Sequence, residues 1–292
     1  MNTLLEVQQA LAAHLELPEG DTAPTSVPIS GGDTHQAIDL RWGGGRWFVK
    51  LAAPGERAML EAEADGLVAL AATGTIAVPE CVLCGAGQEG AWLVLAFETL
   101  TAQGDEEALG RGLARLHRHL GKAHGWHQSN WLGQSRQSNE PHANWCQFFT
   151  RQRLLPQYET ALARGYRDAL APQFEQLLPH LPERLNHAPK PSLLHGDLWS
   201  GNQGYRRDGA PVIFDPAVSY GDRETDLAMM TLFGGFGPRV LSAYEQAWEL
   251  PPGYHWRRQL YQLYHLLNHL NLFGAGWLAR VQTQLRALCD EL

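Results

Sequence analysis

The segment His195-Gly196-Asp197-Leu198-Trp199-Ser200-Gly201-Asn202, followed by Ile213-Phe214-Asp215-Pro216, constrains this chain more than any other feature. Asp197 and Asn202 stand five positions apart, and Asp215 follows thirteen residues after Asn202. Apolar runs precede both halves, Leu193-Leu194 and Val212-Ile213-Phe214. Such runs read as short buried strands, so the loop between them is anchored at both ends. Asp, Ser, Gly and Asn are also ordinary turn residues, and His-Gly-Asp alone would be a plain turn. The full string with its flanks asks for more: a fold that delivers two carboxylates and an amide from one rigid stretch.

Phosphoryl transfer needs those three groups. One carboxylate must meet the acceptor hydroxyl, and two oxygen ligands must hold the Mg²⁺ that bridges nucleotide phosphates. The sequence therefore predicts an enzyme, an ATP- and Mg²⁺-dependent kinase of small molecules. Asp197 is the expected acceptor of the hydroxyl proton, with Asn202 and Asp215 as metal ligands. An ordinary Asp has a pKa of about 3.9, which limits it to orientation and late proton acceptance. His195 is expected to brace the loop through backbone hydrogen bonds, and Trp199 is a candidate for the acceptor pocket.

The first hundred residues supply a compatible nucleotide half. Leu4, Val7, Leu11 and Leu15 have helical spacing. A glycine-bearing turn, Ser30-Gly31-Gly32-Asp33-Thr34, lies between two strand candidates, and Gly31 and Gly32 would let backbone N–H groups approach phosphates. Ala37–Trp42 and Arg46–Leu51 flank Gly43-Gly44-Gly45, a hairpin signal. Lys50 sits on the second of these strands, where an ammonium can neutralise phosphates if a helix carboxylate holds it. Glu61 and Glu63, on a helix predicted over 56–72, are the candidates; two residues apart, they cannot both face Lys50. Further strands are expected at 79–84 and 91–97. Beyond Glu106 helical patterns dominate, at 107–119, 145–164, 166–178 and 257–288. The expected organisation is α+β: a small lobe over 1–98 with an antiparallel sheet and a helix, then a mainly helical lobe over 99–292.

Bulk properties exclude other classes. A net charge of -8 argues against non-specific nucleic-acid binding. The apolar run Trp92–Phe97 falls far short of the roughly 20 residues a spanning helix requires. The start, Met1-Asn2-Thr3-Leu4, lacks a signal-peptide pattern, so cytoplasmic residence without a membrane partner is the expectation. Cys81 and Cys84 have no second cysteine pair to complete a zinc site and are expected to pack as small hydrophobes. His265 and His269 are four apart on a predicted helix, but Leu266 stands where a zinc peptidase needs Glu. In Gly221-Asp222-Arg223-Glu224-Thr225-Asp226, Asp222 is expected to cap a helix and Asp226 to tie to the catalytic loop; substrate contact is the other reading.

The strings Leu193–Asn202, Ile213-Phe214-Asp215-Pro216-Ala217 and Gly221-Asp222-Arg223-Glu224-Thr225-Asp226-Leu227-Ala228-Met229 resemble those of the fructosamine kinase family, the ketosamine-3-kinases. Glu61-Ala62-Glu63-Ala64-Asp65-Gly66-Leu67 and Tyr261–His269 support the resemblance. The wider aminoglycoside and choline phosphotransferase superfamily shares His-Gly-Asp and the later Asp. The resemblance implies a bilobal, protein-kinase-like fold and phosphorylation of the third-carbon hydroxyl of ketosamines, free or on protein, leading to deglycation. It carries the roles of base, metal ligands and phosphate lysine to Asp197, Asn202, Asp215 and Lys50. It favours Glu63 over Glu61 and places adenine at the backbone of Ala96, Phe97 and Glu98. The glycine turn has no cysteine, so a disulfide switch there is not expected. Alternatives are another small-molecule kinase of that superfamily or a non-catalytic nucleotide-binding relative.

Overall fold

The computed structural model describes residues 2–16, 23–29 and 35–292. In chain order the elements are α1 (Asn2–His14), β1 (Thr25–Ile29), β2 (Gln36–Trp42), β3 (Gly45–Ala52), α2 (Arg57–Ala71), β4 (Cys81–Ala86) and β5 (Ala91–Ala96). There follow α3 (Glu106–Leu116), β6 (Asn130–Leu132), β7 (Ser135–Gln137), α4 (Trp145–Phe149), α5 (Leu155–Ala161), α6 (Arg167–Leu177) and α7 (Leu181–Arg184). The chain closes with β8 (Ser192–Leu194), β9 (Gln203–Tyr205), β10 (Pro211–Ile213), β11 (Ser219–Gly221), α8 (Glu224–Leu232), α9 (Pro238–Ala247), α10 (Tyr254–Phe273) and α11 (Leu278–Asp290). Two compact units result: Met1–Asp105 with Gly204–Pro216, and Glu106–Gln203 with Ala217–Leu292.

The first unit is built on a five-stranded antiparallel sheet of order β1-β2-β3-β5-β4. Gly43 and Gly44, with φ of 59° and 73°, make the tight turn between β2 and β3. Strand alternation then sorts side chains between two helices. Val49 and Val94 pack with Val7 and Leu11 of α1. Ala52, Leu93 and Leu95 pack with Leu60, Ala64 and Leu67 of α2 on the opposite face. Lys50 shares parity with Ala52, so the sheet aims it at α2.

Residues 99–105 and 204–216 go with this first unit. Thr101 and Tyr205 exchange backbone hydrogen bonds of 2.8 and 3.0 Å, and Ile213 N–H donates to Ala77 at 3.0 Å. The domain span 1–98 therefore differs from the observed unit at both places, because a later hairpin returns to pair with it.

The second unit buries one large apolar cluster, with Phe148, Phe149, Phe174, Leu260, Leu267 and Val281 among its members. Sequence pattern predicts one helix over 257–288. The structure breaks it at Gly274, where φ 84° and ψ −162° end α10 and let the chain turn into α11. The stretch expected as one helix over 145–164 contains a wide-turned segment at Thr150–Leu154 between α4 and α5. Helix α9 was not foreseen, although Pro238 at its first turn and Val240, Ala243 and Tyr244 on one buried side are ordinary helix signals. No described helix is long and apolar enough to cross a membrane.

Candidate active site

The first unit assembles an ion cluster around Lys50. Its Nζ lies 2.8 Å from Glu63 Oε1 and 2.6 Å from Asp215 Oδ1. Glu63 is thus the helix partner, while Glu61 turns outward to Arg57 at 2.7 Å along the same helix. Burial works against the Lys50 charge, but the two carboxylates outweigh it and hold its pKa above the ordinary lysine value. Glu63 is pushed up to about 6: burial raises it, Lys50 pulls it down, and Asp215 adds repulsion. Asp215 adopts φ 56°, a left-handed conformation rare outside glycine. Such strain gathers at functional sites. His35, at the exit of the glycine-bearing turn, has a lowered pKa, first from burial and then from Lys50. Gly31 and Gly32 lie outside the described residues.

The three residues expected to meet adenine are partly committed elsewhere. Ala96 N–H donates to Glu80 at 2.9 Å and Phe97 N–H to Arg46 at 3.0 Å. Neither amide is therefore open to a purine. The Glu98 side chain pairs with Arg206, accepting from Nε at 3.0 Å, and the Phe97 ring lies 3.6 Å beneath the Arg46 guanidinium.

In the second unit the loop of residues 195–202 is held from several sides. Asn202 Nδ2 donates to the Asp197 carbonyl at 2.9 Å and to its Oδ2 at 3.2 Å, which orients the carboxylate. His195 is fully buried and its Nδ1 accepts from Asp197 N–H at 3.3 Å, the bracing role expected of it. Gly196 has φ 86°, and a Cβ there would stand 2.1 Å from the Ala217 carbonyl, so only glycine fits. Asp226 accepts the N–H groups of His195 and Gly196 at 2.7 and 2.9 Å. The Trp199 indole lies back on its own loop, where a Cβ at Gly201 would meet it at 2.2 Å.

The charged run after β11 is scaffold. Asp222 accepts from Glu224 N–H at 3.1 Å at the start of α8, and its Oδ2 bonds Tyr261 hydroxyl and His187 Nε2, each at 2.7 Å. Glu224 is gripped by Arg257 through two 2.7 Å contacts. His187, Asp222 and Glu224 offer ligand atoms within 4.8 Å of one another, yet the acids are already bonded to protein donors. They line a cavity of about 430 Å³ with Lys190, Arg223 and Trp248.

Other candidates resolve as packing. His265 is buried on α10 with its pKa depressed to about 3, chiefly by burial. Cys84 is pushed up to about 12, again chiefly by burial, as suits an unreactive thiol. Sequence reasoning missed His117, fully buried and bonded to Asp226. Its signal was a histidine continuing the buried Leu109, Leu113, Leu116 stripe of α3.

Comparison with known proteins gives one consistent result. A family model described as Fructosamine kinase matches residues 7–291. The "Probable ketoamine kinase" of Vibrio parahaemolyticus is 40% identical over 269 residues, covering 90% of this chain and 91% of that protein. The crystal structure of a "Putative fructosamine-3-kinase" from Haemophilus somnus superposes with a TM-score of 0.87 at 26% identity, covering 97% of this chain and 96% of that one. The aminoglycoside phosphotransferase APH(4)-Ia superposes with a TM-score of 0.67 at 15% identity over 99% of both chains, a likeness of fold.

Proposed function

Since the chain belongs to the fructosamine kinase family, we propose that it is an ATP-dependent ketosamine 3-kinase. It transfers a phosphoryl group to the third-carbon hydroxyl of fructosamine- or ribulosamine-type adducts, free or on protein. The observation that carries this reading is the Asp197 carboxylate fixed by Asn202 on a loop that Asp226 and Gly196 hold in one conformation. A base so placed needs no reorganisation before it meets a hydroxyl.

The remaining roles follow from donor chemistry. Asn202 and Asp215 offer hard oxygen atoms, the donor type that suits Mg²⁺, so they fit as its ligands. Bound there, the cation would neutralise charge on the nucleotide phosphates. Lys50, kept protonated between Glu63 and Asp215, would bind the phosphates of ATP. Asp197 would orient the acceptor hydroxyl and take its proton as the new O–P bond forms and the bond from the γ-phosphorus to the departing ADP breaks. The phosphorylated adduct is unstable and releases the free amine, so the reaction belongs to deglycation.

The test is phosphorylation by ATP and Mg²⁺ of fructose-lysine and ribulose-lysine adducts beside an aminoglycoside panel, followed by phosphorus NMR of the product. Third-carbon phosphate on the adducts is the expected product. Turnover confined to aminoglycosides, or none with any acceptor, would overturn the proposal.

A further inference from the structure

Asp226 is one end of a hydrogen-bonded chain that runs away from the catalytic loop. Its Oδ2 lies 3.1 Å from His117 Nε2, and His117 Nδ1 lies 2.8 Å from the Tyr244 hydroxyl. Arg223 Nη1 donates to that same hydroxyl at 3.0 Å and to the Trp248 carbonyl at 3.1 Å. The guanidinium sits 4.1 Å from the Trp248 ring centre. Asp226, His117, Tyr244 and Arg223 are all buried.

Donor and acceptor chemistry gives this chain a direction. Burial would raise the Asp226 pKa, but His117, His195 and the Gly196 amide hold it below the ordinary carboxylate value. An ionised carboxylate only accepts, so His117 Nε2 carries a proton. Arg223 only donates, so the Tyr244 oxygen accepts from it and turns its own proton to His117 Nδ1. The neutral Nε2–H imidazole satisfies every partner. An imidazolium would leave the Tyr244 proton buried without an acceptor, which is unfavourable.

We propose that His117 is a positioning residue of the catalytic loop, acting through Asp226 and touching no substrate. Its Nε2–H fixes the Asp226 carboxylate so that both oxygens face the amide hydrogens of His195 and Gly196. The loop has no slack there, because Gly196 is wedged against the Ala217 carbonyl. Turning Asp226 therefore moves the backbone that presents Asp197. The inference rests on the reading of Asp197 as the base. The titratable groups around Asp226 are His117 from α3, His195 from the loop, His265 from α10 and, through His117, Tyr244 from α9.

The test combines tautomer, kinetics and rescue. Nitrogen-15 NMR of wild-type His117 should show a protonated Nε2 and a bare Nδ1 near neutral pH. H117F should lose roughly 100-fold in kcat, the scale expected of a misplaced catalytic group. Its nucleotide Kd should be unchanged and the acid limb of its kcat profile should move to higher pH, because Asp226 loses a lowering partner. H117Q keeps one donor and one acceptor and should recover most of the rate. A proton on Nδ1, wild-type kcat in H117F, or H117Q as impaired as H117F would each overturn the inference. If H117F does not fold, the tautomer and H117Q still decide. If wild-type protein does not turn over the adducts, the proposed function falls alone. The tautomer and the exchange rates of the His195 and Gly196 amides in H117Q then decide this inference.

Discussion

Each unit holds a buried ion pair, and the two differ in how completely they are satisfied. In the second unit Arg257 and Glu224 meet through two parallel contacts of 2.7 Å, with side chains 4% and 1% exposed. Arg257 also donates to the Pro252 carbonyl at 2.9 Å. In the first unit one ammonium faces two carboxylates, and Asp215 remains 43% exposed in a left-handed conformation. A complete bidentate pair leaves little for a ligand to improve. A cluster with one carboxylate in excess carries a surplus of negative charge, which favours a cation beside it. The two clusters differ in exposure and in their balance of charge.

The sharpest break of that comparison is at Asp197, the proposed base. Asp197→Asn should cut kcat by roughly 10²- to 10⁴-fold, the range for general acid–base groups. Nucleotide affinity and the melting temperature should stay near wild type. A variant that keeps its rate would mark the chain as a relative whose loop does no chemistry.

Breaking the complete pair should act on stability alone. Arg257→Met leaves Glu224 buried without its cation, a loss of about 3–5 kcal/mol by denaturant titration. Replacing Glu224 and Arg257 together by apolar residues should recover most of that loss. Kinetic constants measured below the melting transition should remain within a few fold. If kcat falls as far as stability, the Arg257 pair belongs to the catalytic apparatus and the contrast between the units fails.

Lys50→Met should do the opposite. Asp215 is 43% exposed, and Glu63, already raised and freed of the ammonium that lowers it, can take a proton, so the stability loss should be small. Loss of a charged phosphate contact is worth about 1.5–3 kcal/mol, roughly 10- to 100-fold in kcat/KM for ATP. Isothermal titration with a nonhydrolysable nucleotide separates binding from chemistry.

The two units were also unequally legible in the sequence. In the first, the glycine hairpin and strand pattern placed Lys50 on its strand, and the residues themselves left Glu61 and Glu63 both open as its partner. Glu61 and Glu63 differ only in which side of α2 they occupy, and the residues that decide it, Arg57 and Lys50, are one near and one distant in sequence. In the second, the loop string named Asp197 and Asn202, and the charged run named Asp226 as its tie. His117 escaped because nothing local marks it: its partners are 109 and 127 residues away. The break at Gly274 was missed for another reason. Apolar periodicity persists on both sides of it, and one glycine within a periodic run is compatible with a continuous helix.

The smallest effect is a pH dependence confined to the second unit. His265 and His124 have folded-state pKa values of about 3 and about 4, lowered mainly by burial, against an ordinary histidine value near 6.5. Both are therefore neutral in the folded protein through the mildly acid range, while the unfolded chain takes up protons as pH falls below about 6.5. Stability is full above that value and declines below it by about 1.4 kcal/mol per pH unit for each group, until the folded pKa is reached. His265→Phe removes one of the two. Between pH 6.5 and 5 its stability should fall less steeply than that of the wild type, by up to about 1.4 kcal/mol per pH unit, since His35, His124, Glu63 and the other titrating groups are common to both proteins and cancel in the difference. Denaturant titrations at three pH values measure that difference directly. Parallel slopes for the two proteins would mean that His265 takes a proton without unfolding the helix that buries it, and that α10 is looser around it than the packing of Tyr261 and Leu267 implies.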